Sequence, residues 1–272
     1  FKQKTAYEIK ECDWSSDVCS SDLDIGFFKI RKKQNMKIFL MYYDRFSDAT
    51  TSKMLDFEHI VLCHNNKDKF RCIGKNGNII QTNLPKGIQN NFNYGLSLLK
   101  KDEWCIFMSD DLIGAKKIID GKFKKCDINY PINELINILP KCDLMGVKLV
   151  GLASNDRNPI NYILKNKYSK YGLVDGGCFA IKKTEFLFHD KINTIPDYYS
   201  TIYHLNKYGG NLILNYCLLD FKRATNGGLG TNEERLKDKM KDIYLIKSIF
   251  PKNIRIVNKP NQPVNSHIII KK

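Results

Sequence analysis

Trp104-Cys105-Ile106-Phe107-Met108-Ser109-Asp110-Asp111 is the stretch that decides the fold. A short, unbroken apolar run of this kind reads as a strand covered on both faces. It stops abruptly at a hydroxyl and two adjacent carboxylates. Two acids placed directly after a buried strand are costly unless they are solvated or neutralised. One reading is a solvated turn or a helix cap. The other is a pair of hard oxygen ligands for Mg²⁺ or Mn²⁺ carrying a diphosphate. In open α/β sheets ligands collect outside the carboxyl ends of the strands, which is where this pair lies.

Upstream, Ile88, Phe92, Leu96 and Leu99 recur at helical spacing and predict an amphipathic helix over Gly87–Lys101. Lys37–Tyr43 and His59–His64 are further apolar runs and predict strands, each ending on polar groups: Asp44-Arg45 after the first, His64-Asn65 after the second. Thr51–Phe57 reads as a short helix, and Lys69–Thr82 as an irregular strand. Downstream, the patterns predict a helix over Pro131–Leu139 and a strand over Val147–Ala153. They also predict a strand over Gly172–Ile181 broken by Gly176-Gly177, and a helix over Asp197–Tyr208 closed by Gly209-Gly210. A strand over Leu212–Leu219 follows, then a Gly-rich loop at Asn226–Gly230. A long helix over Thr231–Phe250 opens on the capping-box pair Thr231 and Glu234. Strands alternating with helices predict an α/β protein with a mixed, mostly parallel, Rossmann-like sheet flanked by helices.

Residues 1–23 back-translate onto consecutive parts of a common sequencing-library adapter and are excluded from fold reasoning. Residues 24–35 form a leader without usable pattern, and residues 36–272 are expected to be one domain. Within it, 36–111, which ends on the acid pair, and 112–250 read as two halves and 251–272 as a tail. No apolar run approaches bilayer length. Seven cysteines remain outside residues 1–23, none at C-x-x-C spacing and most inside apolar runs. They read as small hydrophobes in a reduced, cytoplasmic setting.

The chain carries a formal net charge of +15, which becomes +17 once the three lysines and five acids of residues 1–23 are set aside. Such a charge suits a polyanionic partner, either nucleic acid or a diphosphate donor. The 37 lysines against 7 arginines also fit an AT-rich coding bias.

The segment Lys86-Gly87-Ile88-Gln89-Asn90-Asn91-Phe92-Asn93-Tyr94-Gly95 followed by WCIFMSDD resembles the nucleotide-binding half of GT-A glycosyltransferases. There a helix bearing Gly and Asn precedes an apolar strand that ends in D-x-D or D-D-D. Ser109 stands at the first position of that triplet, where a hydroxyl can still bond a sugar. Over about Lys37 to Phe250 the chain is more specifically similar to the TET-associated glycosyltransferases of phages. Tyr43-Asp44-Arg45, the Gly87–Asn93 helix start and the Gly227–Gly230 loop before a basic helix with Arg235 carry that similarity. The resemblance implies a hexosyltransferase-like enzyme that uses a nucleotide-sugar donor and Mn²⁺ or Mg²⁺. It also implies a hydroxymethylated base in DNA as the acceptor. Asp111 would be the metal ligand, with Asp110 beside it.

The remaining candidates each have two readings. Asp44 and Arg45 suit the donor's base or diphosphate, or a surface ion pair. His64 belongs to the same strand-end group. Asn90 and Asn93 suit the donor ribose or phosphate, or a polar helix face. Gly176 and Gly177 allow backbone to approach the sugar, or mark a bulge. Asp197 is the candidate general base, or an N-cap aspartate, and Asp220 competes with it for the first role. Gly228 belongs to a phosphate-contacting loop or a simple turn. No histidine lies between His204 and His267 to complete a metal shell, which leaves Asn226 or Asp220 as replacements. The competing functions are a glycosyltransferase of surface polysaccharide synthesis and a basic nucleic-acid-binding protein without catalysis.

Overall fold

Lys37–Tyr42 (β1) is buried from Ile38 onward because both of its faces are covered. Ile38 and Leu40 enter one core with Ile132, Leu135 and Leu139. Phe39 and Met41 enter a second with Phe92 and Leu96. An interior strand of this kind cannot alternate apolar with polar, which is why it reads as a continuous run. The structure is a computed structural model, and it describes residues 36–42, 50–63, 74–82, 84–85, 87–154, 166–222, 232–257 and 267–270. All of them belong to one compact unit, Met36–Lys272.

After β1 come α1 (Thr50–Met54), β2 (His59–Cys63), β3 (Gly77–Gln81), α2 (Ile88–Ser97) and β4 (Trp104–Ser109). A hairpin of β5 (Leu112–Ile119) and β6 (Lys122–Cys126) leads to α3 (Asn129–Leu144), then β7 (Leu149–Leu152), β8 (Tyr168–Ser169) and β9 (Cys178–Lys182). The chain continues through α4 (Pro196–Tyr208), β10 (Leu212–Leu214), β11 (Cys217–Phe221), α5 (Asn232–Ile249), β12 (Ile254–Val257) and β13 (His267–Ile270). The large sheet has the order β3-β2-β1-β4-β9-β7-β10-β8. β3, β2, β1 and β4 are parallel neighbours, as are β7 and β10, whereas β9 runs antiparallel to both β4 and β7. The protein is thus mixed α/β with a large, mostly parallel sheet. α2 covers one face of the sheet. α3 and the small sheet β11-β5-β6 share the core on the other. Ile195 and Ile202, at and within α4, pack with Ile243 and Ile246 of α5 in a third cluster.

The strand order turns back between β1 and β4: β2 and β3 are added on one side of β1, and β4 on the other. A crevice opens outside the strand ends at such a reversal. The acidic residues after β4 therefore lie where the sheet itself favours a ligand.

Four elements differ from the pattern expected of the sequence. The β5–β6 hairpin was not anticipated, because lysines on both of its faces hide the period-2 alternation. Its marker is Asp120-Gly121, both at positive φ (54° and 72°), as a type I′ turn requires. Leu212–Leu219 is two strands in two sheets, turned at Asn215-Tyr216. The Asn215 amide there donates to Asn166 O and Ser169 Oγ. The Gly172–Ile181 strand begins only at Cys178. α3 outruns its predicted span at both ends. The Thr231–Glu234 capping box and the Asn226–Gly230 loop lie outside the described residues and side chains.

The described cysteines are free thiols, and all but Cys126 are buried. Burial pushes the Cys105, Cys178 and Cys217 thiols far above their ordinary range, which suits inert packing groups. No helix among the described residues is long and apolar enough to cross a membrane.

Gly95 lets α2 approach the Phe107 ring of β4 closely. A Cβ built there would stand 2.7 Å from the Phe107 ring, which is itself packed against Phe39, Phe92 and Phe179. Gly95→Ala should therefore destabilise the fold by roughly 1–3 kcal/mol through overpacking, despite alanine's better helix propensity. Equilibrium urea unfolding checks this, and an unchanged midpoint would show that the aromatic cluster can yield.

Candidate active site

β4 delivers its acids from a rigid base, since Cys105, Ile106 and Phe107 are fully buried. The turn that follows is held from outside at nearly every backbone group. Ser109 N–H donates to Gly177 O (2.9 Å), and Thr51 Oγ1–H donates to Ser109 O (2.9 Å). Thr51 N–H reaches Asp110 O (3.4 Å), and Lys222 N–H donates to Asp111 O (2.9 Å). Leu112 N–H donates to Thr51 Oγ1 (3.0 Å). The Ser109 hydroxyl donates to Asp111 Oδ1 at 2.6 Å and so orients that carboxylate. Asp110 is buried and Asp111 half-buried.

α1 holds Thr51 in place through Ser52. His59 Nδ1–H donates to Phe57 O (2.8 Å), which leaves Nε2 to accept the Ser52 hydroxyl (2.6 Å). Burial lowers the His59 pKa and keeps the ring neutral, as this arrangement needs. The Ser52 oxygen in turn accepts Gly74 N–H (3.0 Å).

The antiparallel direction of β9 brings the start of that strand to the end of β4, with Met108 opposite Cys178. Asp175-Gly176-Gly177, which lead into β9, therefore stand beside the acidic turn. Asp175 Oδ1 accepts Gly177 N–H (2.8 Å), closing an Asx-type turn. Gly177 has no room for a side chain. A Cβ there would meet the Phe221 ring at 2.9 Å and Asp175 Oδ1 at 3.0 Å. Gly176 lies against Asp197, whose Cβ would be 3.4 Å from one added at the glycine. The two glycines thus link the β4 acids to the first turn of α4.

Asp197 follows Pro196 at the start of that helix, whose N-cap is Ile195 and carries no side-chain cap bond. It is half-buried by exposure but closely surrounded. Burial, and then the nearby Asp175 carboxylate, raise its pKa to about 7. The N–H groups of Tyr198, Asp197 and Gly176 pull weakly the other way. Burial and the same two acids also raise the Tyr198 pKa. A carboxyl that titrates near neutrality beside a second acid has the environment of a proton-transfer group.

The other expected residues lie elsewhere or serve the scaffold. Asp220 faces Lys116 on the small sheet at 3.2 Å. Asn93 donates to Phe188 O and accepts Phe188 N–H, both at 2.8 Å, so its amide pins the 186–190 segment. Asn90 donates to Pro85 O (3.0 Å) within its own helix entry. These bonds engage both ends of the Asn93 amide and the Nδ2 of Asn90. Asp44, Arg45, His64, Asn226 and Gly228 lie outside the described residues. Among the described residues no group of three or more His, Cys, Asp or Glu side chains is placed to hold a metal.

Three residues at this site escaped sequence reasoning. Asp175 carries a readable signal, an Asp immediately before Gly-Gly. Thr51 and Phe221 carry none, since each reaches the site through tertiary contacts. No model of a known protein family matches the chain, and no curated protein matches it.

The fold holds Asp197 more easily protonated than ionised. Its folded pKa, about 7, exceeds the ordinary aspartate value of 3.8. The stability it contributes is full below pH 3.8 and is lost as pH rises through 7. Asp197→Asn should therefore raise Tm at pH 8 and leave it nearly unchanged at pH 4. Thermal unfolding at the two pH values checks this, and equal shifts at both would exclude a buried charge as the cause.

Proposed function

We propose that this protein is a metal-dependent glycosyltransferase with a GT-A-like fold. It moves a sugar from a nucleotide-sugar donor to an acceptor hydroxyl. One observation carries the reading: the Ser109-Asp110-Asp111 turn lies at the reversal point of the sheet and is tied through Gly177 and Gly176 to Asp197. This gives a pair of hard carboxylate ligands for a divalent cation and a proton acceptor on neighbouring segments.

The donor set fits Mg²⁺ or Mn²⁺. These ions are commonly held by one or two carboxylates, with substrate phosphates and water filling the remaining positions, so a cage of three protein ligands is not required. Asp111 and Asp110 would hold the ion. When bound, it offsets the charge that gathers on the departing diphosphate. Asp111 is aimed by the Ser109 hydroxyl. Gly176 and Gly177 leave backbone rather than side chains on the approach between the acids and Asp197.

Asp197 is the base. As the acceptor oxygen attacks the anomeric carbon, its proton passes to the Asp197 carboxylate and the bond from that carbon to the diphosphate oxygen breaks. A pKa near the working pH suits this role, because the ionised form is populated and still basic. Asp175, the second acid, supports that proton affinity by like-charge repulsion.

The acceptor reading is a hydroxymethylated base in DNA. It is supported by the resemblance and by the charge of the chain.

Asp111→Asn should abolish Mn²⁺-dependent hydrolysis and transfer of nucleotide sugars while the circular dichroism and cooperative unfolding of the chain persist. Full activity in that variant would remove the metal role. Incubation with labelled donors and hydroxymethylated DNA should place label on the DNA. Label found solely on glycans or protein would dispose of the DNA acceptor and leave the donor site standing.

A further inference from the structure

Ser109 to Leu112 is the four-residue connection from β4 to β5, bent at Asp110, with the two acids at its centre. The ordinary closure of such a turn is a direct bond from the first carbonyl to the fourth N–H. Here the Thr51 hydroxyl stands between them. It donates to Ser109 O at 2.9 Å and accepts Leu112 N–H at 3.0 Å, while the Thr51 backbone N–H reaches the intervening Asp110 O at 3.4 Å. Thr51 is fully buried, as is Leu112. No water can replace the hydroxyl without displacing the side chain. The neighbouring Ser52 is locked to His59 and Gly74, so Thr51 is presented from a fixed position.

We infer that Thr51 is a positioning residue for the carboxylate pair, its inserted hydroxyl keeping the Ser109–Leu112 turn open at the width a divalent cation needs. This rests on the reading of that turn as the cation and diphosphate site. Without the hydroxyl, Ser109 O and Leu112 N–H are left buried and unpaired. They can regain a bond only by closing on each other, and that closure rotates the peptide planes that carry Asp110 and Asp111. Thr51 never touches the ion. It acts through the backbone of the residues that do.

The test uses the full chain with Thr51→Val, which keeps the shape and removes the hydroxyl, and Thr51→Ser, which keeps the hydroxyl. Binding of Mn²⁺, alone and with inorganic pyrophosphate, is followed by electron paramagnetic resonance, and folding by thermal unfolding. Thr51→Val should weaken Mn²⁺ binding by roughly 10–100-fold, the range for residues that orient metal ligands, in protein that still unfolds cooperatively. Thr51→Ser should bind as the wild type does. A residue with a merely structural role would lower Tm without changing the affinity of the folded protein. Equal Mn²⁺ affinity in wild type and Thr51→Val overturns the positioning role alone. A wild type that takes up no Mn²⁺ in either condition overturns the reading of the site, and the positioning role with it. Should Thr51→Val fail to fold, Thr51→Ala is read in its place at a temperature where it is folded: weakened Mn²⁺ binding supports the positioning role, and wild-type affinity refutes it.

Discussion

Adjacent carboxylates repel, and repulsion grows as water is withdrawn. Here the two stand at the mouth of a strand whose interior is sealed, and one of them is itself buried. What holds them is the backbone on either side. The peptide groups from Ser109 to Leu112 are bonded to α1, to the lead-in of β9 and to the end of β11, three parts of the chain far apart in sequence. The turn cannot relax by swinging outward without breaking bonds to all three. α1 supplies Thr51 and Ser52 to this arrangement, and the end of β11 brings Lys222 N–H to Asp111 O.

The second acidic centre follows a different logic. Asp175 and Asp197 belong to separate segments, and Gly176, the neighbour of Asp175, lies against the Asp197 side chain; burial of Asp197 and then the Asp175 carboxylate act on it together. The result is a carboxyl whose proton is retained up to about pH 7. Such an arrangement works against the stability of the fold at neutral pH. Sites that perform chemistry commonly carry that conflict, while purely structural positions lose it.

Much of this was visible in the residues. β1, β2, β4 and α2 were legible because burial on both faces, or along one helical stripe, leaves an unmistakable pattern. The acid pair was legible because it interrupts the most apolar strand. Asp197 was legible from Pro196 and the helix it opens. The β5–β6 hairpin was not, because its lysines occupy both faces and leave no alternation to count. Asn93 misled for a related reason: a polar residue on a helix face signals a partner, but not whether that partner is a ligand or, as here, the Phe188 backbone. Thr51 was invisible because nothing local distinguishes a threonine that inserts its hydroxyl into a distant turn from one that merely begins a helix. The adjacency of the DGG segment to β4 depended on β9 running antiparallel, and strand direction is a property of topology rather than of the strand's own residues.

That reversed strand has one more implication. Both acidic segments adjoin the same ladder, the Asp110-Asp111 pair at the exit of β4 and Asp175 at the entrance of β9. The ladder's alignment therefore acts as a ruler. Displacing one strand along the other by two residues would shift their spacing by about 7 Å while leaving every side chain on its original face. The bulky Phe107–Phe179 pairing, with ring centroids 5.5 Å apart, is the notch that keeps the ruler from sliding. The separation of the two acidic segments is thus set by hydrophobic side chains in the middle of the sheet.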